Sequence, residues 1–130
     1  MDATHAQLNT TLTGAGAPVA GWYYCPHHPE GKVPEWTRVC GCRKPAAGML
    51  EQATKDLDLD LAGSWVVGDQ WRDIEAAHRA GARSILVRTG YGRGLEAEWP
   101  SEIVAPTLIC DDLLIAAEQI AADAARARRP

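Results

Sequence analysis

The apolar residues of this chain fall into short, mostly continuous runs, separated by longer segments in which they recur every three or four positions. The runs lie at 64–67, 84–87 and about 107–110, and an aromatic run occupies 21–24. Short apolar runs that do not alternate with polar residues are typical of strands buried on both faces, as in parallel sheets. We therefore predict a strand at each of these places.

The segments between the runs have helical spacing. We predict helices over 3–13, from Ala47, over 71–80, and from Asp111, whose acidic start suits the helix dipole. Gly81 ends the third of them. The apolar positions of the second and third helices each lie on one face, and they are Met49, Leu50, Ala53 and Leu57, then Ile74, Ala77 and His78.

Strands that alternate with helices predict the α/β class, with a parallel sheet covered by helices on both faces. In such sheets ligands bind at the carboxyl ends of the strands. Cys25, Asp69 and the Arg88-Thr89 pair each follow a predicted strand. We therefore expect these residues at one edge of the sheet.

Length and charge narrow the class of protein further. A chain of 130 residues predicts a single domain over 1–130, and 46% apolar residues are enough for a core. The net charge of −4 gives no electrostatic reason to bind nucleic acid or an anionic membrane. The sequence shows neither a signal peptide nor an apolar run of membrane-spanning length, so we expect a cytoplasmic protein.

Residues 25–45 are rich in proline and predict a long loop, and such a loop inside a compact domain needs a reason to be ordered. A zinc ion supplies one, because two pairs of thiol and imidazole ligands form a closed, structural, tetrahedral site. The predicted ligands are Cys25, His27, Cys40 and Cys42. His28 remains an alternative to His27, and clustering without metal, or a disulfide, remains another interpretation. Cys110 is interpreted as a small buried hydrophobe.

Arg43 and Lys44 directly follow the second cysteine pair. An arginine can bind a phosphate through two hydrogen bonds, and a lysine can neutralise it as a point charge. The alternative is a solvated surface pair without a ligand. Because the two charges follow a loop held by metal, we favour a phosphate clamp.

Asp69 lies just after the predicted strand 64–67, and Asp73 lies in the first turn of the following helix. Two carboxylates placed in this way can share a hard cation such as Mg²⁺. Alternatively, Asp69 caps the helix and Asp73 stabilises its first turn without metal. The glycines at 90, 92 and 94 do not form a dinucleotide-binding fingerprint, because no helix is predicted after them in register.

Four groups of residues together resemble the D-glycero-D-manno-heptose 1,7-bisphosphate 7-phosphatases, in the histidinol-phosphatase-like branch of the haloacid dehalogenase superfamily. They are residues 23–31, residues 40–45 with Gly48-Met49, residues 66–69 with Asp73, and residues 86–90. The resemblance implies a haloacid dehalogenase-like, Rossmann-like fold with a zinc-braced loop insertion. It also implies a Mg²⁺-dependent phosphatase that acts on a small phosphorylated sugar, the heptose bisphosphate.

The resemblance also implies roles for single residues. Arg43 and Lys44 would contact the substrate phosphate, and Lys44 would also stabilise the phosphorylated intermediate. Asp69 would be the catalytic Mg²⁺ ligand, with Asp73 as its supporting acid. Gln70 would contact substrate at a position where some relatives carry lysine. The implied zinc ligands are again Cys25, His27, Cys40 and Cys42.

The sequence departs from this family at its beginning. The family attacks phosphorus with the first aspartate of a DxDxT motif on an N-terminal strand, and nothing before Trp22 matches that motif. The resemblance thus implies a sheet without its two N-terminal strands, and an open strand edge invites a second chain. We expect a fragment of a longer phosphatase. The alternatives are a non-catalytic zinc-stabilised module that binds a phosphosugar or a partner protein, and part of a histidinol-phosphate phosphatase.

Overall fold

The computed structural model describes residues 3–23 and 44–127. Parallel strands in the order β1-β2-β3 form a sheet in this part of the chain, which confirms the predicted α/β class. A short 3₁₀ turn, Leu61–Gly63, precedes the first strand. In chain order the helices and strands are α1 (Ala3–Gly14), α2 (Gly48–Leu57), β1 (Trp65–Gly68), α3 (Trp71–Ala80), β2 (Arg83–Val87), α4 (Gly92–Ala97), β3 (Leu108–Cys110) and α5 (Leu113–Ala127).

Helices cover both faces of the sheet. Successive side chains of a strand point to opposite faces, so Ile85 and Val87 share one face and Leu86 lies on the other. Ile85 and Val87 join a buried cluster with Ala116 of α5. Leu86 is equally buried, and α3 packs against β1 and β2 with Ile74 fully buried. The strand β2 is therefore the centre of the core.

The strand β1 is half-buried along its whole length, whereas β2 is buried from Ser84 to Val87. The reason is its place in the sheet, because β2 is its single partner among the strands of the described ranges. The sequence predicted a fully buried strand here. The strand forms, but the predicted burial is wrong. Cavities of about 380 and 200 Å³ lie beside β1, and Val66 lines both of them.

Residues 21–23 are not in a strand, so the prediction of a strand over 21–24 is wrong for these residues, and Tyr24 lies outside the described ones. Aromatic residues favour strands, but here their side chains are held by helices. Trp22 stacks on His5 of α1 with ring centroids 5.2 Å apart, and its Nε1–H donates to Asn9 Oδ1 at 3.3 Å. The Tyr23 hydroxyl donates to Asp56 Oδ2 of α2 at 2.9 Å.

The predicted helices form, with two corrections. His78 was expected on the apolar face of α3 but is exposed, because at about 100° per residue it lies beyond the buried face that Asp73, Ala76 and Ala77 form. The buried face consists of Asp73, Ile74, Ala76 and Ala77. The statement that no helix follows the glycine run is also wrong, since α4 begins within that run at Gly92. Across the described ranges no helix combines the length and the apolar character needed to cross a membrane.

Candidate active site

Asp69 follows the carboxyl end of β1 and is held there by the turn after β2. The Tyr91 N–H donates to Asp69 Oδ2 at 3.2 Å. Gly90 has φ +62°, and a Cβ atom at this position would lie 2.1 Å from the same oxygen. Only glycine combines this backbone conformation with so close an approach. Gly90 was not predicted as a site residue, although the glycine run directly after a predicted strand, at the expected ligand edge, was a signal for it.

Asp73 is buried, with only 6% of its surface exposed, and both of its oxygens accept hydrogen bonds from the protein. Oδ1 pairs with Lys44 Nζ. Oδ2 accepts the Gln70 N–H at 3.2 Å, which is one half of a capping box at the start of α3. A Cβ atom at Gly68 would lie 2.2 Å from Asp73 Oδ2, so this carboxylate lies directly against the end of β1.

Lys44 is brought to this edge of the sheet from just before α2, 29 residues from Asp73. Its side chain is 46% exposed, so the ammonium is paired on one side and open to solvent on the other. It also lines the cavity of about 200 Å³, together with Tyr23, Met49 and Val67. An ammonium that is oriented by a buried carboxylate and still accessible can neutralise an anionic ligand.

Arg88, the residue after β2, joins the ends of two strands to α4. Its guanidinium donates to both carboxylate oxygens of Glu96 in α4, from Nε and Nη2, at 3.0–3.2 Å. Its Nη1 donates to Asp111 Oδ1 after β3 at 2.7 Å. The hydrogen bonds from Arg88 lower the pKa of Glu96, and those to Glu96 and Asp111 raise the pKa of Arg88. The sequence analysis placed Arg88 at this edge but assigned it no partner.

The donors at this edge suit a magnesium ion in part. Mg²⁺ in proteins is commonly bound by one or two carboxylates together with waters and substrate phosphates. Within residues 3–23 and 44–127, Asp69 Oδ1 accepts no hydrogen bond, so Asp69 fits as one such ligand. The same ranges contain no cluster of three or more His, Cys, Asp and Glu residues that could hold a metal. Both oxygens of Asp73 already accept hydrogen bonds, from Lys44 and Gln70. The role of Asp73 as a further Mg²⁺ ligand therefore stays a prediction.

Several predicted site residues lie outside the described ones. They are the four zinc ligands, Cys25, His27, Cys40 and Cys42, together with Arg43. The predicted site residues that the structure does describe are Lys44, Asp69, Gln70 and Asp73. Gln70 is half-buried, and it precedes α3 as the capping residue. Lys44, Gln70 and Asp73 form one hydrogen-bonded group, and Asp69 is held separately by the turn before α4.

Two curated proteins to which this chain is similar share one enzyme name. The chain is 46% identical over 95 residues to the D-glycero-beta-D-manno-heptose-1,7-bisphosphate 7-phosphatase of Haemophilus ducreyi, covering 72% of this chain and 52% of that protein. It is 42% identical over 113 residues to the enzyme of the same name from Escherichia coli K12, covering 81% and 59%. The chain thus spans between half and three fifths of the length of these curated relatives.

A solved structure is similar over nearly the whole chain. It is the D,D-heptose 1,7-bisphosphate phosphatase from B. bronchiseptica, complexed with magnesium and phosphate, with a TM-score of 0.77 at 36% identity. The match covers 93% of this chain and 63% of that one. The HAD-hydrolase-like family model matches residues 41–116, which include β1 to β3 and every described residue of the site. The chain therefore belongs to the HAD-hydrolase-like family of the haloacid dehalogenase superfamily.

Proposed function

We propose that this chain carries the cation-binding and phosphate-binding half of a Mg²⁺-dependent, cytoplasmic phosphatase that removes the 7-phosphate of D-glycero-D-manno-heptose 1,7-bisphosphate. The observation that carries the proposal is the arrangement at the end of β1. There a buried carboxylate, Asp73, orients the accessible ammonium of Lys44, and Asp69 Oδ1 accepts no hydrogen bond from the residues that the structure describes. The substrate is proposed from the activity for which the relatives at 46% and 42% identity are named.

In this proposal each residue has a separate task. Lys44 neutralises the phosphoryl oxygens, and Asp73 prevents its ammonium from turning away into solvent. Arg43 adds a bidentate contact to the same phosphate, and Gln70 contacts the sugar phosphate near the start of α3. Asp69 binds Mg²⁺, which polarises the phosphoryl group when bound.

The nucleophile is proposed to reach this site on a strand beside β1. The half-burial of β1 supports this, because β1 pairs with β2 alone among the described strands, and a strand at the edge of a sheet leaves one row of backbone N–H and C=O groups unpaired. The apolar cavities along β1 offer room for side chains of an added strand. The added strand carries the DxDxT motif, from an adjoining segment or from a second chain.

Phosphate release from heptose 1,7-bisphosphate tests this function. We expect no Mg²⁺-dependent release by residues 1–130 alone, and release when a peptide with an apolar strand followed by DxDGT is added. The same peptide with its first aspartate replaced by asparagine is the matched control and restores nothing. Turnover by the chain alone would contradict the proposed missing nucleophile. Faster release from histidinol phosphate would change the substrate, and binding without release would favour a non-catalytic module.

We propose further that the loop 25–45 binds one structural zinc ion through Cys25, His27, Cys40 and Cys42. Two closely spaced pairs of thiolate and imidazole ligands support a closed tetrahedral site. This loop leads directly into Lys44, so the zinc ion would fix the position of Arg43 and Lys44 along the chain. The ion would be structural, with no open position for substrate.

Replacing Cys42 by serine is expected to remove the zinc and to lower the thermal unfolding temperature, because metal binding contributes folding free energy directly. Zinc content by atomic emission, with and without a chelator, gives the measurement. Cys110→Ser is the matched control: Cys110 is buried in the core, so this change lowers stability but leaves zinc content unchanged. Equal zinc content in both variants would refute the site.

A further inference from the structure

The structure assigns Arg88 a positioning role: through Glu96 and Asp111 it holds the turn before α4 where the Tyr91 N–H fixes the Asp69 carboxylate. The inference rests on the proposed magnesium ligand, Asp69, and adds a residue that touches neither cation nor substrate. Arg88 is three residues from Tyr91 along the chain, and its guanidinium bonds to α4 and to the end of β3.

The Asp69 carboxylate is oriented through one of its two oxygens. Its Oδ2 accepts the Tyr91 N–H at 3.2 Å, so the position of this backbone amide sets the orientation of the whole carboxylate. A carboxylate held in this way presents Oδ1 to a cation without first losing rotamer freedom. Partners that orient a metal ligand commonly change metal affinity about tenfold or more when they are removed.

The Tyr91 amide is held in turn by its connection to helix α4. Tyr91 precedes α4, and its carbonyl accepts the N–H of Leu95, so the turn and the short helix move together. A six-residue helix has little stability of its own and depends on tertiary contacts. The bidentate pair between Arg88 and Glu96 ties this helix back to the end of β2.

Arg88 is also bonded to the end of β3. Arg88 Nη1 donates to Asp111, which follows β3, and the Arg88 N–H donates to the Cys110 carbonyl at 2.9 Å. The guanidinium thus joins the ends of β2 and β3 and helix α4. Lysine keeps the positive charge but cannot reproduce four hydrogen bonds from the three nitrogen atoms of one planar group. Arg88→Lys therefore separates geometry from charge.

Two measurements on the full chain test the inference. In Arg88→Lys we expect amide hydrogen exchange at Tyr91 to accelerate relative to Ile85 in β2. We also expect Mn²⁺, used as a paramagnetic probe for Mg²⁺ in water-proton relaxation, to bind about tenfold more weakly. Arg83→Lys is the matched control, because Arg83 pairs with Asp123 near the opposite end of the sheet and stacks on Trp65.

The outcomes distinguish this inference from the proposed function. If Asp69→Asn leaves Mn²⁺ affinity unchanged, Asp69 is not the metal ligand and the proposed function fails. If Asp69→Asn weakens Mn²⁺ binding but Arg88→Lys and Arg83→Lys behave alike in both measurements, the positioning role alone is refuted. A merely structural role for Arg88 would accelerate exchange at Ile85 and Tyr91 together and leave Mn²⁺ affinity unchanged.

Discussion

Replacing Lys44 by alanine is expected to weaken binding of inorganic phosphate, measured in the presence of Mg²⁺, by about tenfold or more. It is also expected to lower the free energy of unfolding by about 1–2 kcal/mol. Hydrogen bonds to charged groups contribute about 1.5–3 kcal/mol, and about 1.4 kcal/mol is a factor of ten in affinity. Both effects come from one ammonium, which is paired with Asp73 and still accessible.

The stability effect follows from the burial of Asp73, which has 6% of its surface exposed. Without Lys44 this carboxylate keeps only the Gln70 N–H as a partner among the described residues. Removing one member of a fully buried ion pair costs about 3–5 kcal/mol. We expect less here, because water can take the place of the half-exposed ammonium.

Phosphate titration by ³¹P NMR and urea unfolding followed by tryptophan fluorescence measure the two effects. Lys55→Ala, in the last turn of α2, is the matched control and should change neither. The double variant with Lys44→Ala and Asp73→Asn should recover stability, because a neutral amide needs no counter-ion, but it should not recover phosphate affinity. Unchanged phosphate affinity in Lys44→Ala would contradict the role of this residue in binding.

The parts of the fold that could be predicted from sequence are those whose cause is local. The spacing of Ile74 and Ala77 indicates α3 because both face the sheet from one side of the same helix. The apolar run 84–87 predicts a buried strand correctly, because helices cover both faces of β2. In the site, Asp69 was recognisable for the same reason, because it directly follows β1.

The parts that could not be predicted depend on contacts distant in sequence. The Tyr23 hydroxyl donates to Asp56, 33 residues away, and residues 21–23 form no strand although their aromatic side chains favour one locally. The pairing of Lys44 with Asp73 spans 29 residues, and single-sequence patterns contain no information about such a partner. The burial of β1 likewise depends on whether a neighbouring strand is present.

Gly92→Ala is expected to cause the largest loss of stability of any change considered, about 3 kcal/mol. A Cβ atom at Gly92 would lie 1.6 Å from the Val87 carbonyl oxygen, at the end of β2. The obstacle is backbone in the centre of the sheet rather than a flexible side chain, so α4 must move away from β2. That movement also displaces the Tyr91 N–H from Asp69, so Mn²⁺ affinity should fall with stability.

Gly94→Ala is the matched control, because Gly94 lies in the same helix and, apart from its chain neighbours and the backbone of α4, no described atom lies within 4 Å of an added Cβ. Alanine is a better helix former than glycine by about 0.5–1 kcal/mol, so this variant should be slightly more stable than the parent chain. The midpoints of urea unfolding give the change in the free energy of unfolding for both variants, provided that the dependence of this free energy on urea concentration is unchanged. The two glycines lie in one helix. If Gly92→Ala lowers the free energy of unfolding and Gly94→Ala raises it, the difference is caused by the close approach of Gly92 to Val87. Similar midpoints for both variants would show that α4 does not pack this tightly against β2, and the assignment of Arg88 as its anchor would lose its structural basis.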